Sequence, residues 1–141
     1  MHSTTTIVAL FRSKGLRITP QRLAIFAALQ GDESHPTAPT VYERVAVSMP
    51  SISLRTVYQT LNDLCALGVI GSVHLGGDAL RFDPNTDEHH HLVCDACGSI
   101  ADTYLDVGGL QPDADEAFAV HRTRVVLHGT CRACRTGALT G

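Results

Sequence analysis

The chain has 141 residues, 44% of them hydrophobic and 18% charged, which suits one small domain or two very small ones and not a disordered tail. No stretch approaches the roughly 18 apolar residues of a membrane span, and Met1–Thr6 lacks the basic-then-apolar order of a signal peptide, so a soluble cytoplasmic protein is expected. The net charge of −3 is uneven: residues 1–82 carry seven Arg/Lys against five Asp/Glu, residues 83–141 four against nine. The first part therefore suits a polyanion and the second suits cations.

Spacing predicts a helix over about Thr4 to Lys14, presenting Ile7, Leu10 and Phe11 and stopping at Gly15. Thr19-Pro20 starts a second helix, with a hydroxyl cap followed by proline where its missing N–H costs nothing. Leu23, Phe26 and Leu29 share one face there, and Gly31 ends the segment. A third helix after Ser34-His35-Pro36 carries Val41, Val45 and Val47 and breaks near Pro50. Ser53 caps the fourth, whose two faces separate: Val57, Leu61 and Leu64 form a core stripe, and Arg55, Tyr58, Gln59 and Asn62 a polar one. A polar stripe is what any solvated helix shows, but Arg, Gln and Asn also match base edges in a major groove.

Two short strands, Val69–Leu75 and Ala79–Asp83, follow around Gly76-Gly77-Asp78. Helices, a two-faced last helix and then a hairpin is the order of a winged helix-turn-helix, and DNA binding becomes the favoured reading.

The remaining residues are organised by metal-binding side chains. Cys94/Cys97 and Cys131/Cys134 form two C-x-x-C pairs with 33 residues between them, a set that completes the S₄ shell Zn²⁺ favours. A subdomain this small cannot rely on its core, which favours a metal staple over disulfides or a redox pair. Cys65, beside Leu64, reads as a small apolar residue. Leu92-Val93 marks a strand entering the first cysteine turn, so His89 and His91 point to one side and His90 to the other. With Asp83 closing the hairpin and Asp102 on the next strand, a second site of nitrogen and oxygen ligands is expected, suited to Fe²⁺ or Mn²⁺.

Several co-linear motifs then make the chain resemble the ferric uptake regulator family of metal-responsive repressors over about residues 5–134. They are Gly15-Leu16-Arg17-Ile18-Thr19-Pro20-Gln21-Arg22, Ser34-His35-Pro36-Thr37-Ala38, Ser53-Leu54-Arg55-Thr56-Val57-Tyr58, Arg81-Phe82-Asp83, His89 through Gly98, and Cys131-Arg132-Ala133-Cys134. The resemblance implies an α+β chain: a winged-helix DNA-binding domain, 1–83, and a small α/β dimerisation and metal-binding domain, 84–141, stapled by zinc on the four cysteines. It further implies a homodimer on an AT-rich palindrome in double-stranded DNA, with neither membrane nor small-molecule substrate. The regulatory ligands would be His35, Asp83, His89, His91 and Asp102. Arg55 and Tyr58 would enter the major groove and Arg17 approach the minor groove, with Thr56, Gln59 and Asn62 as further DNA candidates on the same helix.

Asp83 stands where zinc sensors usually carry a cysteine ligand, which speaks against a zinc sensor. Asp at 102, where iron sensors more often carry Glu, looks like the peroxide-sensing branch, in which Fe²⁺ reacts with hydrogen peroxide and an oxygen is added to a ligand histidine. The residues corresponding to those histidines are His35 and His89. The alternative is an iron- or other metal-responsive repressor without peroxide sensing. Thr123 stands where many family members carry a histidine of another metal site. On an expected strand through Arg124–Leu127 only His121 shares its face, so His74, His121 and His128 read as surface residues. A short dimerisation helix is expected over Pro112–Ala119, after Val107-Gly108-Gly109. An enzyme is disfavoured: neither the H-x-E and P-C-x-x-C of zinc deaminases nor the G-x-S-x-G nucleophile elbow is present.

Overall fold

Each helix of the first unit opens on a hydroxyl cap. Ser3, Thr19, Thr37 and Ser53 accept hydrogen bonds from the backbone N–H groups of Thr6, Arg22, Thr40 and Thr56 at 3.1–3.3 Å. Such a cap contributes about 1 kcal/mol by satisfying an orphan donor. The helices are α1 (Thr4–Ser13), α2 (Pro20–Leu29), α3 (Ala38–Ala46) and α4 (Leu54–Ala66). The computed structural model describes residues 2–74, 79–108, 110, 112–113 and 118–137, and the chain divides into two compact units, Met1–Thr86 and Asp87–Gly141.

The apolar core belongs to the first unit. Ile7 and Phe11 of α1, Ile25, Phe26 and Leu29 of α2, Val41 and Val45 of α3, and Val57, Leu61 and Leu64 of α4 are buried together with Ile52, Val69, Ile70 and Phe82. Three expected core positions differ. Leu10 and Leu23 are only half-buried, Ile25 taking the inner position on α2, and Val47 is 85% exposed. Val47 caps α3 two residues after Val45, about 200° around the helix, and so faces away from the Val41/Val45 stripe.

The wing is an antiparallel pair, β1 (Gly71–Val73) and β2 (Arg81–Asp83), with Ser72 opposite Phe82. Both strands are shorter than expected, and the glycine turn Gly76–Asp78 lies outside the described residues.

In the second unit β4 (Ile100–Thr103), β3 (His90–Cys94) and β5 (Val126–Gly129) form a sheet in that order, antiparallel for β3/β4 and parallel for β3/β5. A single helical turn, α5 (Arg132–Arg135), follows. The buried residues described in this unit are His90, His91, Cys94 and Cys134, with no aliphatic, Phe or Tyr side chain among them. Two expectations are corrected here. Of the helix expected over Pro112–Ala119, the described residues Pro112, Asp113, Phe118 and Ala119 are not helical; residues 114–117 lie outside the described set. Phe118 is exposed, and a short helix without a packed face is marginal in water. Likewise β5 begins at Val126, so strand alternation assigns no common face to His121 and Thr123. Among the described residues no helix is long and apolar enough to cross a membrane.

Candidate metal centres and DNA-reading helix

Cys94 ends β3, and the chain reverses through Gly98, whose φ of +75° lies in the region glycine adopts without a Cβ clash. Gly98 N–H donates to Cys94 O at 2.8 Å and Cys94 N–H to Ser99 O at 2.9 Å, holding Cys97 beside Cys94. The second pair flanks α5: Cys131 caps it, Cys134 is buried within it, and Cys131 N–H donates to Cys94 Sγ at 3.3 Å. The four sulfur atoms lie within 4.8 Å of one another, with Cys97 and Cys131 at 3.7 Å. Hydrogen bonds from the Cys131 and Cys97 backbone N–H groups hold the Cys94 thiol down at about 6. The Cys134 thiol is pushed up to about 12, first by its hydrogen bond to Cys131 and then by burial. A set of soft donors sharing protons so unevenly is what a thiophilic dication equalises by holding all four as thiolates.

The first unit brings His35 and Asp83 together. β2 reaches the segment before α3 through a bridge between Arg81 and Thr37, Phe82 N–H donates to Pro36 O at 2.9 Å, and Arg81 Nη1 donates to His35 O at 3.3 Å. Asp83, next after Phe82, then meets His35: Nε2 to Oδ2 is 3.2 Å, with the two side chains 0% and 4% exposed. His35 sits at φ +54°, a left-handed conformation that costs a non-glycine residue roughly 1–3 kcal/mol and persists where the surroundings impose it.

The second unit brings His89, His91 and Asp102 together. The β3/β4 register places Asp102 directly opposite His91, so both project from one face, and His89, two residues earlier, joins them. Nε2 of His89 and of His91 lie 3.4 and 3.6 Å from Asp102 Oδ1, and the two rings meet edge-to-face at 4.7 Å. His90 points away and accepts from Val125 N–H at 3.0 Å through Nδ1. The sequence reading missed Tyr104, whose ring lies 6.2 Å from that of His89; two residues beyond Asp102, it had a signal in strand alternation alone.

On α4 the core stripe is fully buried, and Arg55, Tyr58, Gln59 and Asn62 are exposed on the other side. Thr56, half-buried, shares a hydrogen bond with Ser53 Oγ at 2.9 Å, which ties its hydroxyl to the helix cap. Arg17 is exposed in the connector between α1 and α2. Cys65 is half-buried against the core, and burial raises its thiol, opposed by a hydrogen bond with Ser72. His74, His121 and His128 are exposed, and His128 Nδ1 lies 3.1 Å from Asp95 Oδ1.

Helices leading to a two-faced α4 and a hairpin, then a thiol-stapled sheet carrying imidazole and carboxylate donors, define a winged-helix regulator equipped to hold metal. The model of the ferric uptake regulator family matches residues 13–128, and the chain belongs to that family of metal-responsive repressors. It is 35% identical to the peroxide-responsive repressor PerR of Staphylococcus epidermidis over 141 residues, covering 95% of this chain and 91% of that protein. The ferric uptake regulator of Francisella tularensis, solved with iron, shares the fold with a TM-score of 0.72 at 23% identity, covering 86% and 96% of the two chains. PerR of Streptococcus pyogenes, whose structure is described as a basis for peroxide sensing and gene regulation, aligns with a TM-score of 0.53 at 30% identity, covering 91% and 90%.

Proposed function

We propose that the chain is a homodimeric repressor in which Zn²⁺ on Cys94, Cys97, Cys131 and Cys134 is structural and a regulatory Fe²⁺ or Mn²⁺ on His35, Asp83, His89, His91 and Asp102 controls binding to an AT-rich palindrome in double-stranded DNA. Peroxide is its signal. The observation that carries this reading is the donor chemistry: in each unit imidazole Nε2 atoms face a carboxylate oxygen, without sulfur, at 3.2–3.6 Å. Nitrogen and oxygen donors of this kind suit Fe²⁺ and Mn²⁺ and leave zinc to the thiols. The two PerR proteins named above support the peroxide branch.

The protein's own groups have distinct tasks. Asp83 and Asp102 supply the negative charge that draws a dication to imidazoles. The full burial of His35 keeps water from competing at its Nε2. Residues 1–83 present α4 and Arg17 to DNA, while residues 84–141 hold the dimer. A cation shared by ligands from both parts restricts their relative freedom, so less ordering remains to be done on the operator. When bound, Fe²⁺ supplies the reducing electrons for peroxide cleavage next to its own imidazole ligands, which Mn²⁺ does not. His35 and His89 are the residues expected to gain oxygen.

The test is to load zinc-replete protein with Fe²⁺ anaerobically, add stoichiometric hydrogen peroxide, and map oxygen addition by peptide mass spectrometry, with a Mn²⁺ control. One added oxygen on His35 or His89, with iron alone, is the expected result. Iron-loaded protein with unmodified histidines would overturn peroxide sensing and leave a repressor that responds to metal itself.

A further inference from the structure

The guanidinium of Arg22 is fastened to three separate pieces of the first unit. Its Nη1 donates to the backbone carbonyl of Arg17 at 2.9 Å. Nη2 lies 3.3 Å from Asp63 Oδ2 on α4, with the two side chains 16% and 26% exposed. Its central carbon sits 5.6 Å from the centre of the Phe11 ring on α1. The root of the side chain is fixed too, because Arg22 N–H donates to the Thr19 cap at 3.2 Å.

These attachments matter because of what each piece carries. Arg17 lies in the connector after α1, exposed, and Asp63 adjoins Asn62 on the helix that bears Arg55, Tyr58 and Gln59. We propose that Arg22 is a positioning residue for DNA recognition: it fixes the spacing between the Arg17 connector and α4, so that both meet one duplex in register. A carbonyl and a carboxylate are held at once by the planar fork of arginine; lysine, a point charge, reaches one of them at a time. The inference rests on the DNA-binding reading above.

Arg22→Gln, Arg22→Lys, Arg17→Ala and the double variant Arg17→Ala/Arg22→Gln separate this role from plain stabilisation. Each is prepared as zinc-replete, Mn²⁺-loaded full chain, and titrated across salt concentrations onto a duplex enriched by the wild-type protein from a randomised pool. Thermal unfolding is followed in parallel. Arg17→Ala should weaken binding roughly tenfold and lower the salt slope by about one, as expected for one lost phosphate contact. Arg22→Gln should do the same, Arg22→Lys should not rescue it, and the double variant should be no weaker than the worse single one. Losses that multiply in the double variant, or an unchanged salt slope with affinity falling only as stability falls, would overturn the proposal. Wild-type protein that enriches no duplex at all would overturn the DNA-binding reading, and this inference with it.

Discussion

Replacing Cys97 by serine should unfold the second unit and spare the first. Cys97 is exposed, so the substitution removes one of the four proposed zinc ligands while disturbing little packing. The fifteen residues of the buried apolar cluster all precede Asp83, whereas the second unit has no buried aliphatic, Phe or Tyr side chain among its described residues. Fully burying such a side chain contributes about 1.5–3 kcal/mol, and the second unit lacks that contribution in the single chain. A structural zinc on cysteines supplies on the order of 10–16 kcal/mol at neutral pH, comparable with the whole net stability of about 5–15 kcal/mol that a domain usually has. Losing a ligand therefore leaves little to hold β3, β4 and β5. Hydrogen exchange read by peptide mass spectrometry is the assay, on the variant and on wild type stripped with a chelator. Amides of β3–β5 should exchange at rates near those of an unfolded chain, while α1–α4 stay protected. Protection of β3–β5 in the metal-free protein would refute the argument, because apolar contacts would then suffice.

Tyr58→Ala should leave thermal stability within about 0.5 kcal/mol, since the ring is 43% exposed and outside the core. It should weaken operator binding by roughly tenfold in an anisotropy titration; a matching loss of melting temperature would show a packing role instead. Asp32 gives a pH dependence. Burial opposes its ionisation, but hydrogen bonds from Ser34 and Arg44 outweigh that and hold the carboxyl below the ordinary 3.8. Because the folded value is depressed, its contribution is complete above 3.8 and is lost as pH falls through the folded value. Asp32→Asn should flatten the acid limb of the stability profile of the first unit, and an unchanged limb would show that other carboxylates govern it.

The helices were legible because their signals are local. Ser53 capping a segment with apolar side chains at i, i+4 and i+7 foretells both the start of α4 and its buried face. The same holds for the imidazole pair, since alternation along β3 turns His89 and His91 to one side. What escaped depends on partners distant in sequence. The left-handed φ of His35 is imposed by Arg81 and Phe82, some 46 residues away, and nothing within Ser34-His35-Pro36 announces it. Arg22 read only as part of a motif, because its partner Asp63 becomes a neighbour once α2 and α4 pack. Val47 was misread for a local reason: two residues after Val45 it lies off the helical stripe that Val41 and Val45 share.

The two thiol pairs also fix an order of events during synthesis. Helices α1–α4 close through near neighbours, so the first unit has its core as soon as the wing strands have emerged. The sheet cannot be completed then, because the central strand β3 waits for β5, and Cys94 and Cys97 wait for Cys131 and Cys134 after 33 intervening residues. For that interval a nascent chain carries a folded DNA-reading half and two unescorted thiols. The maturation of this protein is therefore open to zinc shortage and to oxidants at a stage when only its first unit has folded.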